Sequence, residues 1–266
     1  MQRRLAIHHL CATDIGTDEL AEIAAKLDVP DISVFVRAPG KALDMFPTIR
    51  NAAEAKTLRA RLDGLGVSVH NVEAFPIGSK TDIAAFEADL EKSAILRARR
   101  ATTHVHDPNI EAALEKFAAL CALARRFGIL ISLEFMNFSA IKGFKQAVQF
   151  VSNSGVEDAT IVVDALHLHR TGGSPALINA NNAHYIGSLQ LCDGLRETPA
   201  DPFREAIHSR LLPGDGELPL PELLAAVPRD VQIDLEVPQG DLRLAGVSAL
   251  ERIRRVVDRA RPFLET

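Results

Sequence analysis

The sequence contains no tryptophan and one tyrosine, and aromatic residues make up 5% of its 266 positions. Base-stacking platforms and aromatic-lined carbohydrate grooves need such rings in number, so neither is expected. Charge of one sign is also missing: 30 Lys and Arg face 35 Asp and Glu, a formal net charge of −5. The basic residues are scattered through helical stretches such as RRVVDRAR at 254–261 and form no stripe able to track phosphates. Nucleic acid is therefore not expected as a partner, and the ligand should be small and polar. The three cysteines, Cys11, Cys121 and Cys192, are far apart and show no C-x-x-C spacing, which argues against a disulfide framework or a thiolate zinc site. A reducing cytoplasm is the expected compartment, and Cys121, inside EKFAALCALARRFG, reads as a small buried hydrophobe. No apolar run approaches the roughly 20 residues needed to cross a bilayer, so no membrane partner is expected. The apolar start of MQRRLAIHHL stops at His8 and His9, too early for a secretory core. With no Gly- or Ser-rich linker and no second hydrophobic block, one domain over 1–266 is expected.

What is present is a repeated alternation of period-2 apolar runs with 3.6-period stretches. The strands are expected at 3–10, 31–37, 67–75, 101–107, 129–136, 159–166, 186–192 and 231–237. Helices are expected from about Thr17, whose hydroxyl reads as an N-cap before DELAEI, and at about 49–64, 82–98, 109–127, 143–153, 174–181, near Leu220, and 249–264. Eight β–α units in a chain of this length are the signature of an α/β fold, a single (β/α)8 TIM barrel. Two loops are long. APGKALDMFP follows the second strand, and about 25 residues separate Asp193 from the helix near Leu220. The second is long enough to be functional, and a short helix within 202–209 is expected in it.

The barrel reading gives four strand ends a common meaning. ILISLEFM delivers Glu134, ATIVVDALHLH delivers Asp164, IGSLQLCDG delivers Gln190 and VQIDLEV delivers Glu236, all at C-terminal strand ends, where such barrels place their active sites. Three carboxylates gathered at one mouth repel unless a cation sits among them, although acids at strand ends also serve as salt-bridge partners or caps. A divalent cation is the expected cofactor. An oxygen-only set, with Gln190 offering its amide carbonyl, favours magnesium or manganese over zinc or cobalt. His70 or Glu73 on the third strand, and His104 or His106 on the fourth, fall near the mouth; His70 and His104 are the candidates for substrate contact, with a hydrogen-bonded structural role as the alternative. Of His8 and His9, at most one faces inward. Arg210 before LPGDG either binds an anionic group of the substrate, the favoured reading, or pairs with Glu217. His169 and His184 read as loop residues, and Gly172 with Gly173 as a turn.

Taken together, LEFMNF, the D-x-x-H of VVDALHLHRTGG, QLCDGLR, LPGDGELPL and IDLEV resemble the sugar phosphate isomerase/epimerase group of xylose isomerase-like TIM barrels. The specific motifs lie between about 130 and 238, and the strand–helix alternation extends the likeness over the whole chain. The resemblance implies that Glu134, Asp164, Gln190 and Glu236 bind the metal, that His167 and Arg196 contact substrate oxygens, and that Glu134 and Glu236 move protons. The keto-sugar epimerases usually carry His where this chain has Gln190, a departure shared with some bacterial 3-dehydroshikimate dehydratases. The leading expectation is a metal-dependent isomerase or epimerase of a small polyhydroxy ketone, working through an enediolate. The alternatives are a lyase dehydrating a cyclic hydroxyketone and a sugar-binding barrel without turnover. The partner is a small-molecule substrate, with homo-oligomerisation left open.

Overall fold

A computed structural model describes residues 3–38, 43, 45 and 49–264. Eight parallel strands, β1 Leu5–His8, β2 Asp31–Phe35, β3 Ser68–Glu73, β4 Arg100–Thr103, β5 Leu130–Glu134, β6 Thr160–Asp164, β7 Ile186–Leu191 and β8 Gln232–Leu235, close in sequence order into a barrel. The helices are α1 Thr17–Lys26, α2 Ala52–Leu65, α3 Glu87–Ile95, α4 Ile110–Arg125, α5 Phe144–Asn153, α6 Ala165–Arg170, α7 Pro202–His208, α8 Leu220–Ala226, α9 Gly240–Leu244 and α10 Ala249–Leu264. The chain is thus the (β/α)8 barrel expected from its alternation. No described helix is long and apolar enough to cross a membrane.

The alternation works because each strand has two different faces. Ile7, Val34, Val72, Leu133, Val163, Leu189 and Leu235 are fully buried and join the hydrophobic core with Leu20, Leu62, Leu90, Phe117 and Ile253 of the helices. The opposite face fills the barrel with polar groups, several of which hydrogen-bond one another. Arg100 Nη1 donates to Thr160 Oγ1 at 2.7 Å, and Thr160 shares a hydrogen bond with Ser132 at 2.8 Å. Gln232 Nε2 donates to Asp31 and Asn71 Nδ2 to Thr102.

Several expected boundaries move. The cap of α1 is Gly16, and Thr17 is its first helical residue, followed by Asp18 and Glu19. No α-helix occupies 174–181; Pro175–Leu177 is a single 3-10 turn. The helix of that unit starts at once after β6, because the Asp164 carboxylate accepts the His167 N–H at 2.7 Å and caps α6. The loop at 38–47 lies largely outside the described residues. Within 202–209 the expected short helix forms as α7, and α9 is an addition that five residues of sequence did not announce.

Candidate active site

At the C-terminal end of the barrel lies a cavity of about 210 Å³, walled by Glu73, His104, His106, Glu134, His167, Arg210 and Glu236, with Leu10, Phe35, Leu43, Met136, Phe138, Phe203, Ala206 and Ile207. Its position follows from strand register. Glu134 and Asp164 are the last residues of β5 and β6, and Asp164 sits beside Gln190 across the β6–β7 pair. Glu236 follows β8 directly. One ligand atom from each of Glu134, Asp164 and His167 lies within 4.8 Å of the others, and the same holds for Glu73, His104 and Glu134, so Glu134 belongs to both groups. His104 Nε2 is 2.7 Å from Glu134 Oε2, and His167 Nε2 is 3.7 Å from Glu134 Oε1.

The structure gathers most of the residues singled out from sequence, though not all. Glu134, Glu236, His104, His167 and Arg210 face the cavity. Asp164 and Gln190 are buried outside its walls, Asp164 behind the Arg210 guanidinium. Arg210 pairs with acids other than Glu217: Nη1 donates to Asp164 Oδ2 at 2.5 Å and Nη2 to Glu236 Oε1 at 3.5 Å. Arg196 does not reach the cavity. It is exposed, its N–H donates to Glu217 Oε2, and its carbonyl meets the His169 ring. His70 does not reach it either. Ile32 pairs with Val69 and Ser33 with Asn71, which leaves His70 as an extra residue in β3, and the period-2 count slips there. Glu73 consequently faces the cavity, while the charges acting on His70 are Arg100, Asp31, Arg99 and Arg4 at or beside strand starts.

Sequence reasoning raised Glu73 only as an option and did not single out the apolar rim. The position of Glu73 depends on the bulge. The rim is built from loops: Phe138 follows β5 and Phe203 belongs to α7, and the two rings meet edge to face at 5.2 Å. His8 is the inward member of its pair in this sense: its Nε2 lies 3.3 Å from Glu73 Oε1, while His9 Nε2 meets the Ile15 carbonyl at 2.9 Å.

The electrostatics follow from burying many charges together. Burial pushes Glu236 up to about 8, with the Arg210 guanidinium pulling the other way. Burial likewise lifts Asp234, one layer deeper, to about 6. Burial disfavours the charged form of Asp164, but Arg210 and His167 outweigh it and the carboxyl is lowered. Burial lowers His167. For His104 burial acts in the same direction, but the hydrogen bond to Glu134 and that residue's charge outweigh it, and the ring is raised. Two indications conflict at His8. Burial opposes its charge while Glu236 and Glu73 favour it, for a balance of about 10. Yet Leu10 donates its N–H to His8 Nδ1 at 3.1 Å, and an imidazolium has no lone pair there. The backbone contact decides for the neutral ring with its proton on Nε2, facing Glu73.

The donor set suits a divalent cation, and each of the two clusters around Glu134 adds a histidine nitrogen to its carboxylates. Among the described residues Gln190 Oε1 and Glu236 Oε2 are buried oxygens without a hydrogen-bond partner, and both belong to the four strand-end residues expected to bind a metal. Beside the carboxylates of Glu134 and Asp164, these two oxygens are what a cation would satisfy.

A family model described as xylose isomerase-like TIM barrel matches residues 21–257. Among solved structures, the IOLI protein with a binding zinc atom superposes with a TM-score of 0.82 at 15% identity, covering 100% of this chain and 98% of that one. D-psicose 3-epimerase from Clostridium cellulolyticum H10, solved with D-tagatose, gives 0.75 at 16% identity with 100% of both chains covered. The probable 3-DHS dehydratase AsbF from Bacillus anthracis gives 0.73 at 10% identity, with 96% and 97% covered. At these identities the likeness establishes the fold. A search of curated proteins found no match.

Proposed function

The chain belongs to the xylose isomerase-like TIM-barrel family, and on that premise we propose that it is a divalent-metal-dependent isomerase or epimerase of a small polyhydroxy ketone, a sugar or sugar phosphate. The observation that carries this reading is the pair Glu134 and Glu236 on the walls of one cavity, taken with the buried, unpartnered oxygens of Glu236 and of Gln190, the strand neighbour of Asp164. Glu134, Asp164, Gln190 and Glu236 would hold a divalent ion, magnesium or manganese from the oxygen donor set, which when bound would supply positive charge to offset a developing enolate. Glu134, oriented by His104 at 2.7 Å, removes the carbon-bound proton, and Glu236 returns one. His167 and Arg210 hold substrate oxygens, and Phe35, Met136, Phe138 and Phe203 keep water from the carbanion. The cavity, about 210 Å³, is smaller than the roughly 300–1,000 Å³ usual for drug-sized ligands, which restricts the substrate to a small molecule.

The test is solvent exchange. Protein stripped with EDTA and reloaded with MnCl2 or MgCl2 is incubated in D2O with a panel of keto sugars, inososes and dehydroshikimate, and deuterium at the carbon next to the carbonyl is followed by NMR. Metal-dependent incorporation into at least one ketone is expected, lost on chelation and in Glu134→Gln. Absence of exchange across the panel by metal-loaded protein would sink the reading, and would favour a barrel that binds without turnover.

A second reading, dehydration of a cyclic hydroxyketone, draws support from the edge-to-face Phe138–Phe203 pair, an apolar wall suited to a ring that becomes planar as it loses water. The structural neighbour AsbF, a probable 3-DHS dehydratase, fits the same chemistry. Appearance of ultraviolet absorbance from a conjugated product in the same panel separates it from epimerisation, which creates no chromophore.

A further inference from the structure

The loop from Gly194 to Leu218 brings Arg210 into the site, and little of its length is regular structure beyond α7. What holds it is concentrated on one buried carboxylate. Asp193 Oδ1 accepts the N–H groups of Gly194 at 2.8 Å and Leu218 at 3.1 Å, and Oδ2 accepts those of Gly214 at 2.9 Å and Gly216 at 3.1 Å. The backbone of Asp193 adds a two-way bridge to Leu211, with N–O distances of 2.9 and 3.0 Å. Both ends of the loop are thereby drawn onto one residue, and Leu211 is the neighbour of Arg210.

We propose that Asp193 is a positioning residue that acts through Arg210, seating its guanidinium between Asp164 and Glu236 by gathering the 194–218 loop onto one carboxylate. Four charge-assisted bonds from backbone N–H groups are a strong, directional tie. The seat then completes itself locally: Arg210 N–H donates to the Pro238 carbonyl at 3.2 Å and its Nε to the Ala206 carbonyl at 2.8 Å. Gly216 is part of the device. A Cβ there would lie 2.3 Å from Asp193 Oδ1 and 2.5 Å from the Gly194 carbonyl, so any side chain would push the carboxylate out of its cluster. In its seat, Arg210 is a fixed positive charge among two of the four ligands assigned above, and Asp193 thereby sets how strongly a cation is held. This last consequence rests on the proposed metal-dependent reading; the seating itself does not.

The experiment uses the full chain with Asp193→Asn, which keeps volume but turns one acceptor into a donor facing backbone N–H groups, and Gly216→Ala as a second, independent lesion. Arginine reactivity toward phenylglyoxal is mapped by mass spectrometry, with Arg252 as internal control, since its side chain and that of Arg210 are each 2% exposed. Arg210 should be protected in the parent protein and modified in both variants, with Arg252 protected throughout. Continued protection of Arg210, or equal exposure of Arg252, would overturn the proposal. Isothermal titration of EDTA-stripped protein with MnCl2 is the second readout, in which loss of the seated charge should tighten binding by about tenfold or more. Unchanged affinity alongside an exposed Arg210 would overturn the link to the cation. Failure of all forms, the parent included, to bind Mn²⁺ would sink the metal reading, while the labelling would still decide the seat.

Discussion

Replacing Asp164 with Asn in the stripped protein isolates the ion pair that the fold has buried at its mouth. The side chains of Arg210 and Asp164 are 2% and 0% exposed, and their closest atoms are 2.5 Å apart. Asn ranks with Asp as an N-cap and its Oδ1 can still take the His167 N–H, so α6 keeps its start and only the charge is lost. Arg210 is then left with Glu236, whose Oε1 lies 3.5 Å from its Nη2, as its remaining carboxylate partner. Breaking a buried pair from one side costs about 3–5 kcal/mol. At roughly 2–4 °C per kcal/mol for a chain of this size class, the midpoint should fall by about 10 °C. Arg210→Met should cost a similar amount by stranding Asp164. The double variant should lose less than the sum, with a coupling of about 2–3 kcal/mol. Urea denaturation of the four proteins, stripped and at pH 7, measures the cycle. Coupling below about 0.5 kcal/mol would show that the two side chains do not depend on each other, and the reasoning about the buried pair would fall with it.

Acid should destabilise the protein through two buried rings. Burial pushes His9 and His70 down to about 4 each, so the unfolded chain, titrating near 6.5, binds protons that the folded chain refuses. Their contribution is complete above pH 6.5 and is lost as pH falls from there to about 4, by roughly 3 kcal/mol for each ring; a melting temperature profile of His70→Gln with the same slope as the parent would refute this for His70. Gly187→Ala would place a Cβ 2.2 Å from Thr160 Oγ1 and 2.7 Å from Arg100 Nη1, and should cost about 1–3 kcal/mol in urea denaturation, partly recovered with Thr160→Ala. No recovery in the double variant would mean that the clash lies elsewhere. Phe203, 44% exposed on α7, should tolerate change to Ala within about 0.5–1 kcal/mol while raising KM more than it lowers kcat for the substrate found by exchange. A reversed split would place Phe203 in the chemical step instead of the wall.

The sequence by itself determined the barrel, because closure needs only alternation: two-faced strands, helices between them and short connections are local properties written in periodicity. It also determined where Glu134, Asp164, Gln190 and Glu236 would stand, since the end of an apolar strand is legible without its neighbours. Tertiary structure decided the rest. His70 left the mouth and Glu73 entered it because one unpaired residue in β3 reversed the alternation, and a bulge is fixed by pairing with β2, not by the strand's own composition. Arg196 stayed outside and Arg210 entered because a long loop has no period to read; its path is set by where Asp193 collects its N–H groups. The aromatic rim came from the same cause, with Phe138 and Phe203 on separate loops that only folding brings to 5.2 Å. Strand ends are decided by local pattern, and the walls of the cavity by contacts between segments far apart in the chain.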